Sequence, residues 1–244
     1  MVTRLPSSGE MPEGQEPGCD TSGLILVHRI FRWLYRELPP LIRDVTPGDT
    51  ARAAIVGRYA HLDFFALHMH HETEDLALWD KLADREPGCA LHVDQMRAQH
   101  AEVAAHLARI EPQLEPWVAT ADPVRGEAFA RDIDALRDTL VVHLAQEEYE
   151  IMPVASAVLS QQEWDWMEEH TRATLAKHRK DLGSDIMALQ AGLLIASVPE
   201  DERDDWMRAN IPAPIRLLYA LLLKRQYDRA MRDLYPDRPV PAMV

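Results

Sequence analysis

Two polar insertions in otherwise apolar helical patterns constrain this chain most: His70-His71-Glu72-Thr73-Glu74-Asp75 and His143-Leu144-Ala145-Gln146-Glu147-Glu148. Each contains His-x-x-x-Glu, and residues four apart lie on one helix face, roughly 6 Å apart. An imidazole and a carboxylate at that spacing can reach one metal site together. Buried carboxylates are costly unless they are paired or metal-bound. A fold that turns both copies inward therefore has to supply them with partners.

The chain around these insertions reads as helices separated by turn signals, and no stretch shows the alternation of a strand. Residues 1–20 are rich in Pro, Gly, Ser and Glu and are expected to form a disordered or loosely held tail. Helices are then predicted from Thr21 or Ser22 to about Leu38, closed by Pro39-Pro40, and from Thr50 through Leu82. A third runs from about Leu91 to Ile110, and a fourth from Val124 to Met152, where Pro153 kinks or ends it. These lengths suit an all-α, antiparallel up-down four-helix bundle over residues 21–157. Residues 158–244 read as a helical C-terminal extension, with capping-box patterns at Ser160–Glu163 and Ser197–Glu200. Its apolar run Leu217–Leu223 calls for burial against the bundle or another subunit.

Charge narrows the partners. A formal net charge of −14 argues against nucleic acid or an anionic membrane, which both need a basic surface. Most of the excess carboxylates belong to a solvated face. Two cysteines, Cys19 and Cys89, exclude a disulfide framework. No signal pattern begins the chain, and the longest apolar run falls far short of the roughly 20 residues that span a bilayer. A cytoplasmic protein, monomeric or homodimeric, is expected.

Aligned by spacing, the histidines divide the chain into two similar halves. His28 precedes His70 by 42 residues and His100 precedes His143 by 43, so each half reads His, then His-x-x-x-Glu. A lone histidine on an apolar face is more often a hydrogen-bonded core residue than a ligand. A lone His-x-x-x-Glu is more often an exposed pair. The doubled set points instead to a metal site of His28, His70, Glu74, His100, His143 and Glu147. Two divalent ions carry four positive charges, of which two bridging glutamates offset half; oxide, hydroxide or further carboxylates supply the rest. Mixed imidazole and carboxylate ligation suits iron, with manganese or zinc as alternatives.

These residues resemble the hemerythrin-like, or HHE cation-binding, family: His28, His70-His71-x-x-Glu74-Asp75, His100, and His143-x-x-x-Glu147-Glu148 with Pro153, over about residues 22–157. The resemblance implies a four-helix bundle around a non-heme di-iron centre, with Glu74 and Glu147 bridging and the four histidines terminal. It also implies dioxygen, nitric oxide or peroxide as ligand, because the family includes oxygen carriers and stores, oxygen or iron sensors, and proteins reacting with peroxide or nitric oxide. One departure matters. Oxygen-carrying hemerythrins place a second histidine four residues after the first on helix three, where this chain has Ala104, and His106 is out of register. His71, His68 and His61 are candidates to replace it, each with a solvated or supporting role as the plainer reading. Asp75 and Glu148 are further candidates, less well in register than Glu74 and Glu147.

Two functions follow. One is a di-iron protein that binds or senses dioxygen, nitric oxide or peroxide. The other is an oxidase, oxygenase or catalase-like peroxidase that uses an open iron position. Cys89 reads as an inert thiol, and Trp164, Trp166 and Met167 as core or interface.

Overall fold

The computed structural model describes residues 9–183 and 185–243. These residues are helical, with no strand among them beyond an isolated bridge between Gly18 and Ser160. The first part comprises α1 (Ser22–Arg43), α2 (Thr50–Ala77), α3 (Trp79–Arg85), α4 (Ala90–Val118), α5 (Pro123–Gln146), a π-helical turn (Glu147–Ile151) and α6 (Met152–Val158). The second comprises α7 (Gln161–Leu182), α8 (Ile186–Ser197), α9 (Arg203–Asn210), α10 (Ala213–Leu218), a second π-helical turn (Tyr219–Leu223) and α11 (Lys224–Leu234). No helix among the described residues is long and apolar enough to cross a membrane.

Helices α1, α2, α4 and α5 close a ring of contacts: α1 packs on α5 and α2, and α4 packs on the same two. Their apolar faces form two separate clusters. One includes Phe31, Phe64, Leu67, Met69, Val103 and Leu144, and the other includes Leu78, Trp79, Met96, Ile151 and Trp164. The residues between the clusters along α2, α4 and α5 are the histidines and glutamates of the repeated pattern. A polar layer therefore divides the core. Helices α7, α8 and α11 lie outside the ring, with α7 and α11 against α2 and α8 against α1. Close approach of α2 to α4 is possible at Gly57, where a Cβ would collide with the Val118 side chain.

Several helix ends differ from the sequence expectation. Helix α1 continues through Pro39 and Pro40 to Arg43, and α4 runs through Pro112 and Pro116 to Val118. An interior proline costs about 3 kcal/mol. Burial of Leu41 and Ile42 beyond the expected stop offsets this, at about 1.5–3 kcal/mol each. The second predicted helix breaks at Leu78 (φ −107°, ψ −57°) into α2 and α3. The fourth widens into a π-turn at Glu147, six residues before Pro153 in α6. Proline cannot donate the next i→i−4 bond, and a π-turn is a known way to absorb such a mismatch.

The tail and the extension are tied to one another. Described residues 9–20, expected to be loose, are held by Gly18 N–H to Leu159 C=O (2.8 Å), Cys19 N–H to Ser156 C=O (3.0 Å) and Arg85 Nε to Gly9 C=O (2.7 Å). Residues 1–8 of the same expectation lie outside the described residues. The Ser160–Glu163 capping box forms, with Glu163 N–H donating to Ser160 Oγ (3.2 Å) and Ser160 N–H to Glu163 Oε2 (3.1 Å). The one proposed at Ser197–Glu200 does not: α9 begins later, and Ser197 Oγ donates back to Leu194 C=O. The apolar run is also not buried within the chain, as Leu217, Leu221 and Leu222 are each more than half exposed.

Glu163 joins the parts electrostatically. It is buried between Lys81 (3.0 Å) and Arg85 (2.7 Å) of α3. Burial alone would raise its carboxyl, but hydrogen bonds from Arg85, the Ser160 N–H and Lys81 prevail and hold it at about 2, below the ordinary 4.5. Its stabilising contribution is thus complete above pH 4.5 and is lost as the pH falls toward 2. Glu163→Gln is expected to cost roughly 3–5 kcal/mol at neutral pH by leaving two buried cations without their anion. Melting temperatures of variant and parent should converge as the pH is lowered from 7 to 3. An equal gap at both pH values would refute this role.

Candidate metal centre

The ligand positions are set by helix geometry. On α2, Glu74 is four residues after His70 and three after His71, so both rings are its neighbours on one broad face. On α5, His143 is followed one turn later by Glu147, the first residue of the π-turn. Helix α1 contributes His28 and α4 contributes His100. All six residues expected from the sequence meet in the polar layer, and His71 meets them there.

Two adjacent groups form. Ligand atoms of His28, His70, Glu74 and Glu147 lie within 4.8 Å of one another, as do those of His71, His100 and His143. The carboxylates link the groups. Glu74 approaches His70 Nε2 (3.4 Å) and His100 Nε2 (3.6 Å), while Glu147 approaches His28 Nε2 (3.4 Å) and His143 Nε2 (3.7 Å). The His71 ring stacks on His100 at 4.1 Å and meets His143 edge-on at 4.9 Å.

The outward nitrogens are satisfied by other groups. His28 Nδ1 bonds Glu148 (2.9 Å), which Arg32 clamps from the other side (2.7 and 3.1 Å). His100 Nδ1 bonds Asp75 (2.7 Å), whose same oxygen accepts the Trp79 indole N–H (2.7 Å). His143 Nδ1 bonds the Gln99 side-chain oxygen (3.1 Å), and Gln99 donates to Gln146. Such contacts fix the tautomer with a proton on Nδ1 and leave the Nε2 lone pair facing inward, an arrangement typical of metal-bound histidine. Asp75 and Glu148 thus orient histidines and do not face the centre.

The inward atoms have no partners. Nε2 of His28, His70, His71, His100 and His143, and both carboxylate oxygens of Glu74 and Glu147, are buried without a hydrogen bond. Native proteins leave few buried polar atoms unpaired. Here nine converge, and the Nε2 atoms of His28, His100 and His143 are lone-pair donors in the tautomers just described. Burial holds the His70 and His71 rings far below the ordinary imidazole range, and His143 is lowered to about 3, mainly by burial and secondarily by His100. Burial, and then the neighbouring Glu147, push Glu74 well up, and burial raises Glu147 too. Neutral imidazoles and carboxylates without a counter-charge are suited to cations. The remaining histidine candidates lie elsewhere. His68 is exposed beside Glu111 (2.9 Å), His61 is exposed, and His106 bonds Arg109 (2.8 Å).

Residues 21–155 match the family model described as hemerythrin HHE cation binding domain. The chain belongs to this family. No curated protein and no solved structure matches it. Within the HHE pattern, the residue that sequence spacing ranked too low is His71. Ala104 leaves α4 without a second inward histidine, and α2 supplies a fifth ring from the opposite side. The signal was present in His-His-x-x-Glu, where one glutamate is i+4 to the first histidine and i+3 to the second.

His71→Ala is expected to lower the number of cations retained on dialysis, whereas His106→Ala retains the parent amount. Asp75→Asn should weaken cation affinity about 10–100-fold by loosening the hold on His100. Metal titration followed by elemental analysis reads both effects. Parent-like binding in the first and third variants would refute the arrangement.

Proposed function

We propose that this HHE protein holds two iron ions in an antiparallel up-down bundle formed by residues 21–157, and that it binds or senses dioxygen, nitric oxide or peroxide. In this reading Glu74 and Glu147 bridge the ions. His28 and His70 serve one, and His71, His100 and His143 the other. The convergence of nine unpartnered donor atoms on one buried layer supports it most strongly. Five imidazoles with two carboxylates favour iron over magnesium or calcium, which prefer oxygen ligands alone. Bound iron would supply reversible redox chemistry and open positions for a diatomic or peroxide.

The chain's own residues determine where that happens. With Glu74 and Glu147 shared, the group with His71 would offer three nitrogens and the group with His28 and His70 two, so the less crowded side would be next to α1. Phe31 packs against the His70 ring at 5.0 Å and keeps that side apolar. The Glu148–Arg32 pair holds His28 in place from outside. Apolar clusters flank the layer on both sides. The net negative charge, with no helix among the described residues long and apolar enough to cross a membrane, accords with a cytoplasmic monomer or homodimer.

An enzyme is the second reading, an oxidase, oxygenase or peroxidase at the same centre. It is favoured by a cavity of about 750 Å³ that reaches His70 and Glu74 and is far larger than a diatomic needs.

Elemental analysis of the aerobically purified protein is expected to give about two irons per chain. Glu74→Ala and Glu147→Ala should lose most of that metal, since each removes a bridge. Iron retention in both variants, or no iron in the parent, would eliminate the proposal. Mixing the reduced protein with oxygen then separates the readings, because a stable reversible adduct supports binding or sensing and turnover of an added reductant supports the enzyme.

A further inference from the structure

The cavity beside the metal centre is built by the two parts of the chain together. Helices α1 and α2 form one wall, including Val27, Leu34, Leu62 and Met69. The extension forms the other, with Leu175 from α7, Leu189 and Leu193 from α8, and Met231 and Leu234 from α11. Its volume lies within the roughly 300–1,000 Å³ typical of small-molecule sites. It is elongated. Along α2 it follows one face from Tyr59 through Asp63, Ala66 and His70 to Glu74, about 22 Å at 1.5 Å per residue.

The lining is mainly apolar, with Asp20, Glu37, Glu168 and Arg172 among its charged members, and two polar places beside α2 stand out. One is the metal centre, where His70, Thr73 and Glu74 border the space. The other is Asp63, near Tyr235. Asp63 is only 8 % exposed, and it has no hydrogen bond or ion pair among the described residues. The Tyr235 hydroxyl is buried and unpartnered as well. A buried carboxyl group that forms no ion pair and accepts no hydrogen bond is a costly arrangement. Burial accordingly pushes Asp63 well above the usual carboxyl range. Structural carboxylates elsewhere in this chain have arginine or lysine partners, as Glu148 and Glu163 do.

We propose that this cavity binds an elongated aliphatic amine, with its ammonium head on Asp63 and Tyr235 and its chain lying along α2 toward His70 and Glu74. An ammonium supplies the counter-charge Asp63 lacks and donates to both oxygen groups. The chain removes water from the apolar walls. Asp63 and His70 are separated by two helical turns, about 10 Å, so a medium-length chain reaches the less crowded side of the centre. The extension then has a defined task, which is to complete the binding site. Binding itself does not depend on the metal; only the approach to His70 and Glu74 rests on the di-iron reading.

The test uses the full-length protein as purified, with its iron content measured. The neutral dye Nile red reports on the cavity by its fluorescence, and decylamine, decanol and decanoic acid compete for it. Decylamine is expected to displace the dye at about one-tenth the concentration that decanoic acid requires. Asp63→Asn, nearly isosteric, should remove that preference while the dye still binds. Ala66→Phe, which fills the lumen, should weaken dye and amine together in a protein whose circular dichroism and melting temperature match the parent. Failure of the folded parent to bind the dye would overturn the site, and an unchanged preference in Asp63→Asn would overturn the head-group assignment. Decylamine should also shift the absorption bands of the iron-loaded protein, and unshifted bands despite binding would overturn the approach to the metal. Glu147→Ala, which lies outside the cavity lining, separates this proposal from the di-iron one, because it should lose iron and keep the amine site.

Discussion

Two buried carboxylates with no counter-charge in the protein are the constraint around which this structure is organised. Glu74 and Glu147 lie 4 % and 0 % exposed, in the layer that divides the hydrophobic core. Moving an ionised carboxylate into such a place costs several kcal/mol even after relaxation. No lysine or arginine of the described residues pairs with either, and burial holds the His70, His71 and His143 rings toward their neutral forms. The alternatives are protonation or a bound cation. Protonation would use one oxygen of each group as a donor, yet every neighbouring Nε2 is left without a partner. A cation satisfies both kinds of atom at once.

From that layer the polar connections run outward in steps, and each step depends on the one inside it. His28 passes to Glu148 and then to Arg32; His100 passes to Asp75 and then to Trp79; His143 passes to Gln99 and then to Gln146. Each outer group is less buried than the ring it holds. Asp75 and Glu148 accordingly behave unlike the inner glutamates. Burial would raise them, but their hydrogen bonds to His100 and His28 outweigh it, and both are lowered, Glu148 to about 2. Adjacent residues in the sequence, Glu74-Asp75 and Glu147-Glu148, thus divide into an inner group that faces the centre and an outer one that orients a ring.

Much of this was legible in the sequence because helical spacing converts directly into shared faces. The four core helices and the convergence of His28, His70, Glu74, His100, His143 and Glu147 follow from period and register. Helix ends were less legible. Pro39, Pro40, Pro112 and Pro116 are stop signals in isolation, and only the packing of later side chains shows that the helices continue. His71 was undervalued for a related reason. Adjacent helical residues point about 100° apart, so a one-face reading admits His70 and rejects its neighbour. The rejection fails because α2 is buried on two sides, toward α1 with His70 and toward α4 and α5 with His71. The cavity was not legible at all, since it depends on where residues 158–244 pack.

Helix α2 consequently contributes more to the centre than any other element: two rings, one carboxylate and, through Asp75, the group that orients a third ring. It is also the helix against which α7 and α11 pack. Any change in how the extension sits on α2 would therefore act on His70, His71 and Glu74 through one rigid rod. The helix ends immediately afterwards, at the break at Leu78, and α5 widens into its π-turn at Glu147. Regular helix lies on one side of the polar layer and interrupted helix on the other. Glu147 itself keeps α-helical geometry (φ −60°, ψ −49°) with its N–H on the His143 C=O, and the Trp79 indole reaches Asp75 one helical turn back. Helical register therefore sets the geometry of the centre up to the point where the regular helices end.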